Sequence, residues 1–221
     1  MEWHEAYDDP SSALSARLQL VQAQLAGAID RAPPGPVRLV SLCAGQGHDV
    51  IGVLSGHPRR GDVSAILVEA DPANAEVARV NAAAAGLARV DVRLADASRV
   101  ASFADALPAD VLMLCGIFGN VSETDIERTI AAAPAFSAPG GTVIWTRHRR
   151  PPDLTPRIRA LLTAGSLEEV AFGSPESAPQ IGVGAARFHG PPGAPAPGAS
   201  WPDEPLFTFH DAGVRRADNG E

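Results

Sequence analysis

The chain contains no lysine: all 18 of its basic residues are arginine, set against 26 Asp and Glu for a net charge of −8. Without lysine there is no Schiff-base chemistry on the protein and no lysine of a P-loop. The acidic balance argues against a nucleic-acid binder, which carries a basic face. Cysteine is scarce too. Cys43 and Cys115 are the only two, too few for a disulfide framework or a cysteine-based zinc site. No run of about 20 apolar residues exists to cross a bilayer. The first residues, with Glu2, Glu5, Asp8 and Asp9, are acidic where a secretory signal is basic and then apolar. These absences set the expectation of a cytoplasmic protein that engages neither nucleic acid nor membrane.

What is present fits one globular domain: 221 residues, 45% apolar and 20% charged, enough chain for a sizeable core. Glycine and proline are plentiful but unevenly placed. Residues 190–202 form the one low-complexity segment, expected as an exposed loop. There is no internal repeat. Elsewhere short apolar runs alternate with helical patterns. Residues 11–30 read as a helix, with Leu14, Leu18, Val21, Leu25 and Ile29 spaced by three and four. Residues 1–36 are thus expected to be a lid segment and a helix, with the main domain at 37–221. Five strands are expected at 37–43, 63–68, 90–94, 111–115 and 142–146. Helices are expected at 48–54, 73–85, 122–132 and 155–164, and a sixth strand at 167–172. The segments 181–188 and 206–209 are expected to pair as a terminal hairpin or meander, either one supplying the last strand. Strands alternating with helices imply βαβ units, so the fold class is α/β: a doubly wound, mostly parallel sheet with helices on both faces. In such sheets ligands bind beyond the carboxyl ends of the strands.

Three successive strand ends carry suggestive chemistry. The first is followed by Ala44, Gly45, Gln46, Gly47, His48 and Asp49, whose glycines permit a tight turn and close approach of a ligand. The second ends on Glu69 and Ala70, 22 residues past Gly47, where a carboxylate can accept from both hydroxyls of an adenosine ribose. The third is followed by Asp96 and Ala97. Together they indicate an adenosine-type cofactor. A dinucleotide would lay its pyrophosphate on the helix N-terminus after the glycine turn, and Asp49 would repel it there. S-adenosyl-L-methionine has no phosphate and carries a sulfonium and an ammonium, which an acid near the loop suits.

On these residues the chain resembles the class I S-adenosylmethionine-dependent methyltransferases. VRLVSLCAGQGHDV (37–50) is similar to the family's first motif, an acidic residue followed by GxGxG, with Gly45 and Gly47 matching its second and third glycines. ILVEADPANAEVAR (66–79) resembles the second motif, and VRLADAS (92–98) the third, in which Asp96 would face the adenine amino group and Ala97 would offer its backbone. DVLMLCGIFGNV (110–121) corresponds to the fourth strand and the segment beneath the methyl donor, and GGTVIWT (140–146) to the fifth strand with two glycines before it. Two departures stand out: Ser41 replaces the first-motif acid and Cys43 its first glycine. The resemblance therefore assigns the methionine ammonium to Asp49 or to the backbone at Cys115 and Gly116. It implies a seven-stranded Rossmann-like sheet with an antiparallel C-terminal strand.

Methyl transfer draws on proximity, and on a base only where the acceptor must lose a proton. His148, after the fifth strand, is the best-placed base; a surface histidine in an arginine cluster is the alternative. His4 and Tyr7, before the first helix, are further catalytic candidates. Asn120 and Phe118 follow the fourth strand, where they would line the transfer site unless Phe118 is core. Arg147, Arg149 and Arg150 would greet an anionic acceptor or simply form a solvated loop. The histidines have no spaced partner for a metal. The NPPY-type motif of base and amide methylation is absent, with GIFGN (116–120) in its place. The expected activity is methylation of an oxygen or nitrogen on a small-molecule acceptor. A nicotinamide-dependent oxidoreductase and a non-catalytic S-adenosylmethionine-binding protein are the alternatives. The oligomeric state is open, a homodimer being one option.

Overall fold

A computed structural model describes residues 9, 12–190 and 203–210. His4, Tyr7 and most of the Pro/Gly-rich loop (191–202) lie outside the described residues. The sheet has five parallel strands, β1 (Val37–Leu42), β2 (Val63–Glu69), β3 (Val90–Leu94), β4 (Ala109–Leu114) and β5 (Ser137–His148). Two more strands, β6 (Leu167–Gly173) and β7 (Ile181–Phe188), complete the order β3-β2-β1-β4-β5-β7-β6. β7 runs antiparallel to both of its neighbours. This is the mostly parallel seven-stranded sheet with an antiparallel last strand that the resemblance implies.

Successive side chains of a strand point to opposite faces, and here both faces are covered. Leu39, Val111, Met113 and Ile144 join the core beneath α1 (Ala13–Arg31), α2 (His48–Gly56) and α3 (Pro72–Ala84). Val40, Leu112, Leu114 and Trp145 join the other core, under α4 (Glu123–Phe136) and α5 (Thr155–Ala164). Trp145 is almost fully buried, and β7 accommodates it with Gly184, where an added Cβ would stand 2.3 Å from the indole.

Helix ends follow from their caps. Ser12 accepts from the Ser15 N–H (3.0 Å) to start α1. At the other end of α1, the Arg59 guanidinium donates to the carbonyls of Ile29 and Ala32 (2.7 Å each). Asp71 caps α3 through the Ala73 and Asn74 N–H groups, with Pro72 in the first turn. Ser122 caps α4 through the Asp125 N–H (3.1 Å). α4 runs on past Ala132, through Pro134, because Ala133 and Phe136 are buried in the core and packing overrides the proline signal. β5 begins at Ser137, so Gly140 and Gly141 lie inside the strand rather than before it, beside a register shift in β4.

The expected pairing of 181–188 with 206–209 is not formed. Residues 181–188 are β7, whose two edges are already taken by β5 and β6, so no edge remains for the later segment. Residues 206–209 instead strap across the carboxyl ends of the strands. The Leu206 N–H donates to Ser98 O and the His210 N–H to Asn120 O (2.9 Å each), and Phe209 forms a single bridge to Val121. Leu206 and Phe207 are buried, which anchors the strap.

Candidate active site

β1 leads into α2 through a turn with three residues in the left-handed region: Cys43 (φ +56°), Gly45 (+57°) and Gly47 (+73°). Glu69, at the end of β2, holds this turn. Its Oε2 accepts from the Gly45 N–H at 2.7 Å, and its Oε1 from the Asp71 N–H at 2.9 Å. A carboxylate offers about four lone-pair sites, so both oxygens retain capacity for further donors.

These elements surround a cavity of about 620 Å³, within the range of small-molecule sites. Ala44, Gly45, Gln46 and Asp49 line it from the first turn, and Glu69 and Ala70 from the second strand end. Asp96 and Ala97 contribute from beyond β3, and Cys115, Gly116 and Asn120 from beyond β4. The fold thus brings together every position singled out for a cofactor except Gly47.

Gly47 is buried behind the wall. An added Cβ would meet Ile51 Cδ1 at 2.7 Å and Leu67 Cδ2 at 3.0 Å. A glycine here serves the packing of α2 on β2 and the positive φ. Gly47→Val is therefore expected to cost about 2–4 kcal/mol of folding stability, from left-handed strain plus overpacking. A thermal melt coinciding with that of the parent chain would refute this account.

The electrostatics are acidic and neutral rather than phosphate-binding. Asp49 is the second residue of α2 and accepts from the Val50 N–H at 2.8 Å. Burial raises its pKa above the usual carboxylate value, with Arg17 and His48 pulling it back. Burial, helped by the charges of Glu69 and Asp96, pushes the Cys43 thiol up to about 12. Burial and Asp49 push Cys115 up as well. Both stay protonated and are poor nucleophiles. Asp96 accepts from the Ser98 N–H (2.9 Å) with one oxygen.

A second cavity, of about 430 Å³, adjoins the first and shares Arg17, Gly116 and Asn120 with it. The shared wall is rigid: the Gly116 N–H donates to Thr146 Oγ1 (2.9 Å), and Asn120 Nδ2 donates to Gly116 O (2.8 Å). His148 and Arg147 line the second cavity together with Arg150 and Glu123. The imidazole is half-buried, and its Nδ1 has no hydrogen-bond partner among the described residues. Burial first, then the Arg147 and Arg150 charges, hold its pKa below the ordinary histidine value, against an opposing pull from Asp153. Phe118 is core, beside Trp145 at 6.4 Å, and lines neither cavity. Arg149 lies apart as well, bonded to Asp153 at 3.2 Å.

No family model matches the chain, and no curated protein matches it. Solved structures do. An O-methyltransferase family protein from Burkholderia thailandensis superposes with a TM-score of 0.63 at 18% identity, over 82% of this chain and 58% of that one. The magnesium protoporphyrin IX methyltransferase of Synechocystis PCC 6803, with bound S-adenosylhomocysteine, gives 0.63 at 10% identity, over 84% and 92%. A putative sarcosine dimethylglycine methyltransferase from Galdieria sulphuraria gives 0.55 at 13% identity, over 78% and 85%. The chain has the class I methyltransferase fold. It spans less than two thirds of the length of the Burkholderia protein.

Within this methyltransferase fold, the first-motif departures have a clear local result. Cys43 takes up the left-handed conformation itself, and Ser41 is buried within β1. Sequence reasoning missed several wall residues: Arg17, Leu18 and Val21 of α1, Asn74 of α3, and Phe207 and Phe209 of the strap. Arg17 carried a signal, a cation set between Leu14 and Leu18 on the apolar stripe of α1. The strap carried none, because it lies beyond a low-complexity segment. Among the described residues no cluster of His, Cys, Asp or Glu converges on a metal site, and no helix is long and apolar enough to cross a membrane.

Proposed function

We propose that the chain is an S-adenosylmethionine-dependent methyltransferase acting on an oxygen or nitrogen of a small-molecule acceptor. The observation that carries this reading is the pair of adjoining cavities, one walled by the glycine turn and four acids (Asp49, Glu69, Asp71 and Asp96), the other lined by His148. The donor set of the larger cavity suits the cofactor. Its volume matches a small ligand, its acids match hydroxyl, amino and ammonium groups, and Asp49 occupies the place where a phosphate would sit.

When bound, S-adenosylmethionine supplies a methyl group activated by a sulfonium. Glu69 would accept from both ribose hydroxyls with the lone pairs its two backbone partners leave free. Asp96 would take the adenine amino group with the oxygen that Ser98 does not use, which Arg99 approaches at 3.8 Å, and the Ala97 backbone would assist. Asp49, or the Cys115 and Gly116 backbone, would take the methionine ammonium. Asn120 and Gly116, common to both cavities, set the distance between donor and acceptor, from which proximity draws much of its effect. His148, kept neutral by its surroundings, takes the proton that the acceptor oxygen or nitrogen gives up.

Thermal unfolding with S-adenosylmethionine, S-adenosylhomocysteine or NAD present tests the cofactor. Ligands that bind only the folded chain raise its Tm. The first two are expected to do so and NAD is not. A rise with NAD alone would replace this reading by a nicotinamide-dependent one.

A further inference from the structure

Arg147 stands out among the residues of the smaller cavity. It is only 8% exposed, in a chain whose other arginines are largely at the surface. Its Nη1 donates to the Phe118 carbonyl, while its Nε is buried with no partner among the described residues. Asp153 and Glu123, the carboxylates whose charge reaches it, make no ion pair with it among the described residues. Asp153 is engaged elsewhere, with Thr155 (2.7 Å) and Arg149 (3.2 Å). A buried cation without a counter-charge is costly unless something that enters the site compensates it. The arginine fork is built for a planar oxyanion, which it grips with two parallel hydrogen bonds.

The surroundings agree with such a partner. Arg17, Arg150 and Glu123 also line this cavity, so charged groups converge on the space that Arg147 faces. We propose, on the premise that the chain is the methyltransferase argued above, that its acceptor carries a carboxylate and that Arg147 binds that group through its unpartnered Nε. One unpartnered donor on a cation matches a singly charged carboxylate. A phosphate dianion would demand more donors and would meet Glu123 on the same wall.

The chain loaded with S-adenosylhomocysteine is titrated with benzoate, benzamide and phenyl phosphate, and binding is followed by saturation-transfer NMR. Benzoate is expected to bind at least about tenfold more tightly than benzamide. Arg147→Met is expected to erase that preference while leaving the affinity for S-adenosylhomocysteine at the parent value. Arg147→Lys keeps the charge without the fork and is expected to bind benzoate several-fold less tightly than the parent, so the test survives if the methionine variant does not fold. Equal binding of benzoate and benzamide, no benzoate binding, or a preference unchanged in both variants overturns the proposal. Binding of phenyl phosphate in preference to benzoate overturns the carboxylate assignment. A parent chain that does not bind S-adenosylhomocysteine at all is a failure of the methyltransferase reading instead, and the first titration of the series detects it.

Discussion

Glu69→Ala is expected to weaken S-adenosylmethionine binding by about 30- to 1,000-fold, the equivalent of about 2–4 kcal/mol. Two losses combine in that figure. The ribose hydroxyls would lose a charged acceptor, and the glycine turn would lose its anchor, because the Gly45 and Asp71 N–H groups both donate to this carboxylate. Glu69→Gln separates the two. A glutamine keeps one acceptor oxygen but turns an NH₂ toward one of the two backbone donors, so it too is expected to bind weakly, with a smaller loss. Calorimetry gives the affinity and a thermal melt shows whether the fold is intact. An unchanged Kd in a folded alanine variant would remove Glu69 from the cofactor site.

His148→Ala should lower kcat by about 10²–10⁴ with the cofactor Kd unchanged, if the imidazole takes the acceptor proton. The pH profile is the sharper readout. A base works only when unprotonated, so the rate falls as pH drops through its pKa. Burial and the neighbouring Arg147 and Arg150 lower that pKa from its ordinary value of 6.5, so the acid limb of kcat/KM is expected below about pH 6.5. The alanine variant should lose the limb along with the rate. Raised KM with unchanged kcat would instead make His148 a binding group. Normal turnover with the acid limb intact would dismiss it from the reaction.

The centre of the sheet was legible because its strands are buried on both faces and read as largely apolar runs between turn residues. Val111 to Leu114 is a clear case, with every side chain buried. The site was legible for a related reason: parallel topology collects the residues just after each strand at one edge, so Gly45, Glu69 and Asp96 converge although they are far apart in sequence. Three things were not legible. Gly47 carries the same motif signature as Gly45, and only the packed positions of Ile51 and Leu67 show that it faces the core as well. The strap at 206–209 reads as a strand in isolation, but it leaves the sheet and is held by contacts to Ser98, Asn120 and Val121. The isolation of Arg147 depends on Asp153 being held by Thr155 and Arg149, a three-dimensional arrangement without a one-dimensional trace.

The place of β7 has a consequence for the order in which the protein is completed. β6 has no partner other than β7, and β5 has its outer edge covered only by β7. A chain emerging from the ribosome thus finishes β5 with its outer edge bare and β6 with no partner at all, and both wait for a strand translated last of the seven. The delay reaches both cavities, though unequally. The turn that holds Glu69 is complete as soon as Asp71 is made. The end of β5, with Arg147 and His148, is paired only when Ile181 and Gly182 arrive. Nascent chains stalled before residue 181 therefore leave the end of β5 open to edge-to-edge association, with Phe207 and Phe209 of the larger cavity still to come.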